Sequence, residues 1–233
     1  LGSGLPASVL DAVLARARFP LGIVAVGTGN DIARATGLPV RQPGEAGRLI
    51  GEALKAGHSR MLDLGRVGER WFGSVLASGF DSRVNDRGNR MRWPAGRLKY
   101  DLAIVAELAA FKTVPYRLTL DDGEPQDIDA TLVAVGNGPS YGGGMRICHG
   151  AEMDDGLLDV TIVGDCSRGT LLRVFPRVYK GTHLSHPAVT TFRARSVRLE
   201  AADVTAYADG EPLGRLPVTA QVVPRAVRLL VGE

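Results

Sequence analysis

The stretch Val26-Gly27-Thr28-Gly29-Asn30-Asp31 decides the reading of this chain. It closes an apolar run, residues 21–26, and opens a segment able to form a short helix. Two glycines, a hydroxyl, an amide and a carboxylate therefore stand at the end of a predicted strand. Open α/β sheets bind ligands at such ends. Glycine lets the backbone approach a ligand closely, and a helix start offers free N–H groups to an anion. A tight turn with an Asn/Asp helix cap explains the same residues without a ligand.

Working outward, residues 6–19 read as a helix, with Val9, Val13 and Leu14 on one face. Residues 21–26 read as a parallel strand buried on both faces. Residues 31–36 form a short helix ended by Gly37 and Pro39, and residues 44–56 form an amphipathic one. This α/β fragment shows one strand where a stable sheet needs several, so further sequence is expected upstream of Leu1.

Beyond Gly57 the pattern changes. Residues 61–67 and 71–77 read as a hairpin across Gly68-Glu69. Residues 98–111 show the clearest helical spacing, through Leu98, Leu102, Val105 and Ala109. Tyr116, Leu118 and Leu120 alternate with polar residues before an Asp122-Gly123 turn, and residues 128–135 return as a strand. Residues 158–162 alternate again, and residues 170–178 look helical. Residues 189–199, 204–208, 218–223 and 226–231 read as four more strands. The fold class expected is thus α/β plus β. A partial α/β domain over residues 1–58 precedes a mostly antiparallel β domain over residues 59–233.

The 233 residues include 45% hydrophobic and 23% charged residues, ordinary for a globular protein. No apolar run is long enough to span a bilayer and no secretory signal is visible, so a cytoplasmic setting is expected. Cys148 and Cys166 lack metal-ligand spacing. The net charge of +3 suits an anionic partner: nucleotide, acidic lipid surface or nucleic acid.

Four further clusters accompany the opening turn. They are Ser78-Gly79-Phe80-Asp81; Asn137-Gly138-Pro139-Ser140-Tyr141-Gly142-Gly143-Gly144-Met145; Ala151-Glu152-Met153-Asp154-Asp155-Gly156-Leu157-Leu158-Asp159; and Asp209-Gly210-Glu211-Pro212. In this order and spacing the set resembles the diacylglycerol kinase catalytic-domain family, which includes bacterial diacylglycerol kinases, YegS-type lipid kinases and sphingosine and ceramide kinases. The resemblance covers roughly nine-tenths of the chain, from residue 21 onward.

The resemblance implies an NAD kinase/phosphofructokinase-like α/β domain packed on a β-sandwich. It implies an ATP- and Mg²⁺-dependent transfer of phosphate to a lipid alcohol such as diacylglycerol. It further implies peripheral membrane contact, no nucleic-acid partner, and room for pairing of two copies through edge strands. Gly27, Thr28, Gly29, Asn30 and Asp31 match the family's nucleotide turn. Asp155 would be the carboxylate of a magnesium loop, with Glu152 and Leu157 giving main-chain oxygens. Glu211 or Asp209 would accept the proton of the attacking hydroxyl. Asn137 and Asp81 are candidates to line the cleft. Arg83, Arg87, Arg90, Arg92, Arg97 and Lys99, with Trp93, would face headgroups or solvent. The triplet Asp122-Gly123-Glu124 copies the acidic motif, and its place between two strands makes it a hairpin turn. His149 receives no role.

The chain departs from the family at Leu1-Gly2-Ser3-Gly4-Leu5, which stands where relatives carry Gly-Gly-Asp-Gly-Thr. A fragment of a longer kinase and a degenerate member acting as a nucleotide- or lipid-binding module both fit. NAD kinase, a fold relative, is the third reading; the glycine run and the Asp-Gly-Leu-Leu loop speak against it.

Overall fold

The structure is a computed structural model, and it describes residues 19–27, 29–79 and 113–232. The expected helices over residues 6–19 and 98–111, together with Thr28, Phe80, Asp81 and the basic run of residues 83–99, lie outside them. Among the described residues two helices come first, α1 (Asp31–Ala35) and α2 (Pro43–Ala56). Strands β1 (Ser59–Val67), β2 (Arg70–Phe72), β3 (Val75–Gly79), β4 (Val114–Leu120), β5 (Gln126–Gly136) and β6 (Leu158–Gly164) follow. Helix α3 (Arg168–Val178) leads into a 3₁₀ turn (Thr182–Ser185). Strands β7 (Val189–Ala194), β8 (Ser196–Glu200), β9 (Thr205–Ala208), β10 (Glu211–Arg215) and β11 (Val218–Leu230) complete the chain.

Among the described residues the eleven strands join in the order β10-β9-β3-β5-β4-β8-β11-β1-β2, with β6 on β5 and β7 on β6. Every named pairing is antiparallel. This is the expected α/β piece followed by an antiparallel β domain. The long β5 makes the fold continuous. Residues Gln126 to Ala130 pair with β4, while Leu132 to Gly136 pair with β3. Side chains alternate across β3 between two cores: Leu76 joins Val133, Leu158 and Val197 on one side, and Val75 and Ala77 join Leu132 and Leu171 on the other. A third core holds α1 to the sheet through Ile32, Ala33, Leu62, Leu64, Val227 and Leu229. Each fully buried Leu or Val stabilises the fold by roughly 1.5–3 kcal/mol.

Outside the turn between β2 and β3, three boundaries differ from the sequence reading, each for a local reason. Residues 21–26 run extended but make only isolated parallel bridges, Leu21 with Leu229 and Ala25 with Val40. Val24 is 45% and Val26 65% exposed, so burial on both faces does not hold for this segment. Residues 189–199 form two strands because the N–H groups of Arg195 and Ser196 both turn to the Asp121 carboxylate. That break lets β7 pair with β6 while β8 pairs with β4 and β11. The two strands expected over residues 218–223 and 226–231 are one, β11 (Val218–Leu230), with a positive-φ residue, Arg225 (φ 54°), at its irregularity.

The two cysteines are free, and burial pushes the Cys148 thiol up to about 12, which keeps it protonated. Phe72 is fully buried and lies over Gly65, where a Cβ would overlap its ring. Gly65→Ala should therefore lower stability by about 1–3 kcal/mol in urea unfolding, and an unchanged midpoint would contradict this packing.

Candidate active site

Asn30 adopts a left-handed conformation (φ 57°), which asparagine tolerates better than most residues. Its side-chain amide donates to Gly27 O at 2.7 Å, and the Arg34 guanidinium donates to Gly29 O. The turn is thus closed by its own side chains. It delivers Asp31 to the first turn of α1, pointing away from that helix and into the β domain. There Ser140 Oγ donates at 3.0 Å to Oδ1, Gly144 N–H at 2.8 Å to the same oxygen, and Gly143 N–H at 3.0 Å to Oδ2. Gly143 and Gly144 reach the carboxylate with φ of 85° and 108°, values that side chains resist. The glycine run is thereby explained as a clasp on Asp31. Burial raises the proton affinity of Asp31, opposed by these three hydrogen bonds.

Asp209 shows the same chemistry from the other side. It sits at the tip between β9 and β10 with φ 50°, followed by Gly210 at φ 87°. Its Oδ2 accepts from Gly73 N–H at 2.7 Å, and its Oδ1 from Ser74 N–H at 2.9 Å and Val75 N–H at 3.3 Å. These N–H groups turn inward to the carboxylate, which is why the expected strand over residues 71–77 breaks into β2 and β3. Burial raises Asp209 to about 6, against the pull of three backbone hydrogen bonds and with a smaller push from the charge of Asp31. Glu211, the other candidate base, is half-buried and stands 3.5 Å from the Arg70 guanidinium.

The two carboxylate clasps meet. A Cβ on Gly73 would come within 2.6 Å of Ile32 Cδ1 and 3.8 Å of Asp209 Oδ2. The helix that begins with Asp31 therefore abuts the turn that holds Asp209. Asp31 and Asp209 are thereby brought near enough for the charge of one to act on the other, with Gly27, Gly29 and Asn30 leading into α1 and Glu211 following the Asp209 tip. Thr28 lies outside the described residues.

Asp63 is a site residue that the sequence reading passed over. It is 2% exposed and lies within an apolar strand, β1. Its Oδ2 accepts from Gly156 N–H and its Oδ1 from Arg225 N–H, both at 2.7 Å, and its own N–H donates to Met153 O. Asp63 thus ties the acidic loop to β11. Asn137 continues the line: its amide donates to Asp63 O at 3.0 Å and to Gly73 O at 2.9 Å. The signal was present in Met61-Leu62-Asp63-Leu64, a charge placed where the flanking residues are core.

In the acidic loop, Asp155 Oδ1 accepts from Leu157 N–H and Oδ2 pairs with Arg193. Arg193 also lies 3.6 Å from Asp159. Asp159 Oδ2 is buried with no hydrogen-bond partner. Burial raises the proton affinity of Asp159; Arg193 lowers it, and Asp155 and Glu152 raise it further. Two carboxylates, Asp155 and Asp159, share the Arg193 guanidinium, and Glu152 adds negative charge nearby; hard oxygen donors with surplus negative charge fit Mg²⁺. Among the described residues no three acidic, histidine or cysteine side chains form a metal cage by themselves. A site here would rest on Asp155 with main-chain oxygens such as those of Glu152 and Leu157.

Comparison with known proteins agrees with this layout. Residues 2–67 match the diacylglycerol kinase catalytic domain, and residues 74–231 match the YegS C-terminal NAD kinase beta sandwich-like domain. The chain is 45% identical to a diacylglycerol kinase of Mycobacterium tuberculosis (strain H37Rv), covering 98% of this chain and 74% of the relative. It is 34% identical to a Stenotrophomonas maltophilia protein named "Probable lipid kinase YegS-like", covering 93% and 70%. A diacylglycerol kinase crystal structure from Bacillus anthracis superposes with a TM-score of 0.73 over 99% of this chain and 75% of that one, at 23% identity, which speaks for the fold. With two clasped carboxylates meeting at the lobe junction and both halves matched in order, the chain belongs to the diacylglycerol kinase family of lipid kinases.

Proposed function

We propose that this chain carries the acceptor side and part of the donor side of an ATP-dependent kinase acting on the hydroxyl of a membrane lipid such as diacylglycerol. The observation that carries this reading is the contact of Ile32, Gly73 and Asp209 at the lobe junction. It supports a reading in which the glycine turn ahead of α1 takes phosphate and the Asp209 carboxylate takes a proton.

In this reading ATP is the phosphoryl donor. The main chain at Gly27 and Gly29 lies against its phosphates, and Asn30 holds the turn in shape. Asp209 is the base. A carboxylate offers about four acceptor positions, and three are used by Gly73, Ser74 and Val75, so one remains for the lipid hydroxyl. A base with proton affinity near 6 is largely ionised at neutral pH yet basic enough to take a proton as the hydroxyl attacks phosphorus. Glu211, paired with Arg70, orients the tip. Asp155 with main-chain oxygens of Glu152 and Leu157 would hold Mg²⁺, which supplies positive charge to order the acidic loop. Asp63 and Asn137 connect that loop to the Asp209 clasp.

Turnover of a short-chain diacylglycerol by the full-length protein tests the reading. Asp209→Asn should lower kcat by 10²-fold or more, the range for loss of a general base, while Glu211→Gln should cost about tenfold. Wild-type turnover by Asp209→Asn would contradict the base assignment. Retained ATP binding without any lipid turnover by the unaltered protein would favour the binding-module reading.

The pH dependence follows from the same group. The base must be ionised, so kcat/KM should fall as pH drops through about 6. Stability should run the other way. The native carboxyl keeps its proton up to about 6, whereas the unfolded one releases it near 3.8. Lowering pH from 7.5 to 5 should stabilise the fold by about 1.4 kcal/mol from this group, roughly half of the full linkage. Urea titrations at pH 7.5 and 5 would measure the slope, and Asp209→Asn should flatten it. An unchanged slope in that variant would place the titrating group elsewhere.

A further inference from the structure

Helix α3 presents two unlike faces. Leu171, Val174 and Val178 are buried beneath it. Leu172, Pro176 and Tyr179, spaced i, i+4 and i+7, lie along the outer face, with Leu172 56% and Tyr179 41% exposed. Phe175, half-buried, meets the Tyr179 ring edge-on at a centroid distance of 6.3 Å. Cations flank this apolar stripe. Arg168, Arg173 and Lys180 are exposed, and Arg177 is half-buried with its guanidinium on Ser185. From Cys166 through Leu199 the sequence holds seven Arg or Lys and no Asp or Glu. Asp165, just before this stretch, accepts from the Thr113 hydroxyl.

An outward apolar stripe edged by cations, on a helix too short and too charged to span a bilayer, has the chemistry of an interfacial element. Anionic headgroups attract each Lys or Arg near the surface, while the leucine and tyrosine side chains enter the boundary layer. Nucleic acid would use the cations but leave the apolar stripe in water. The position of α3 suits a lipid surface as well. Val178 O accepts from Arg146 N–H, and the inner face of α3 shares one core with Tyr141 and Met145. Those residues bracket the glycines that clasp Asp31. Helix α3 therefore packs directly on the segment that clasps Asp31.

We propose that the outer face of α3 docks the protein on an anionic bilayer, with Leu172 and Tyr179 seated among the headgroups and Arg168, Arg173 and Lys180 on their phosphates. This inference rests on the lipid-kinase reading for its purpose, but its test needs no turnover. The full-length protein is sedimented with vesicles of phosphatidylcholine alone or with about one-third phosphatidylglycerol, without ATP or diacylglycerol. The wild type should bind the anionic vesicles and release at high salt. The variant Leu172→Ser/Arg173→Gln/Lys180→Gln should bind at least tenfold more weakly, with an unchanged thermal melt. Equal binding by the variant, no binding by the wild type, or equal wild-type affinity for double-stranded DNA would overturn the proposal. Turnover of a dispersed short-chain diacylglycerol should be the same in the variant and the wild type. Vesicle binding that follows the prediction in a protein without turnover would uphold the docking face while removing the kinase reading. Turnover together with wild-type vesicle binding by the variant would do the reverse.

Discussion

A buried carboxylate is expensive unless its oxygens find hydrogen-bond donors, and this fold meets that demand with main-chain N–H groups from distant segments. Asp31 draws Gly143 and Gly144 to the start of α1. Asp209 draws Gly73, Ser74 and Val75 to the tip between β9 and β10. Asp63 draws Gly156 and Arg225 to β1. Each acid dictates where a loop goes. Losing one would strand several buried N–H groups at once, so these contacts are cooperative with the fold rather than additions to it.

The three clasps also explain how a β domain made for burial comes to hold a polar junction. Its cores are apolar and continuous through β3 and β5. At the end facing α1, strands stop pairing where their N–H groups turn toward acids. Ile32 fills the space over Gly73. Side chains that would otherwise separate the two lobes are replaced there by glycine. The result is a close approach of backbone to carboxylate, with Asp209 held in one orientation and raised in proton affinity by the burial that holds it.

Much of this was legible in the sequence. The turn from Gly27 to Asp31 and the tip Asp209-Gly210-Glu211 were read in their places because glycine and acidic residues mark them against apolar strands. The glycine run of residues 142–144 stands out in the sequence, and its partner is Asp31. The Asp122-Gly123 turn closes the β4–β5 hairpin, as its spacing indicated. What sequence did not give was partnership across distance. Asp63 has no short motif around it, and its partners lie 93 and 162 residues away. The break at Arg195 comes from Asp121, which local propensity does not register. The extended segment at residues 21–26 looked doubly buried because its composition is apolar, whereas Val24 and Val26 face outward.

Buried acids, through main-chain donors, fix the junction of the two lobes. Amide hydrogen exchange at Gly73, Ser74, Gly143 and Gly144 measures this directly. These amides sit in turns and loops, outside regular strand ladders, so without the carboxylates they would exchange quickly. With the carboxylates in place, their protection should be comparable to that of the core amides of β3 and β5. In Asp31→Ala the protection of Gly143 and Gly144 should collapse while that of β5 remains. Rapid exchange of these four amides in the unaltered protein would show that the carboxylates do not hold the junction.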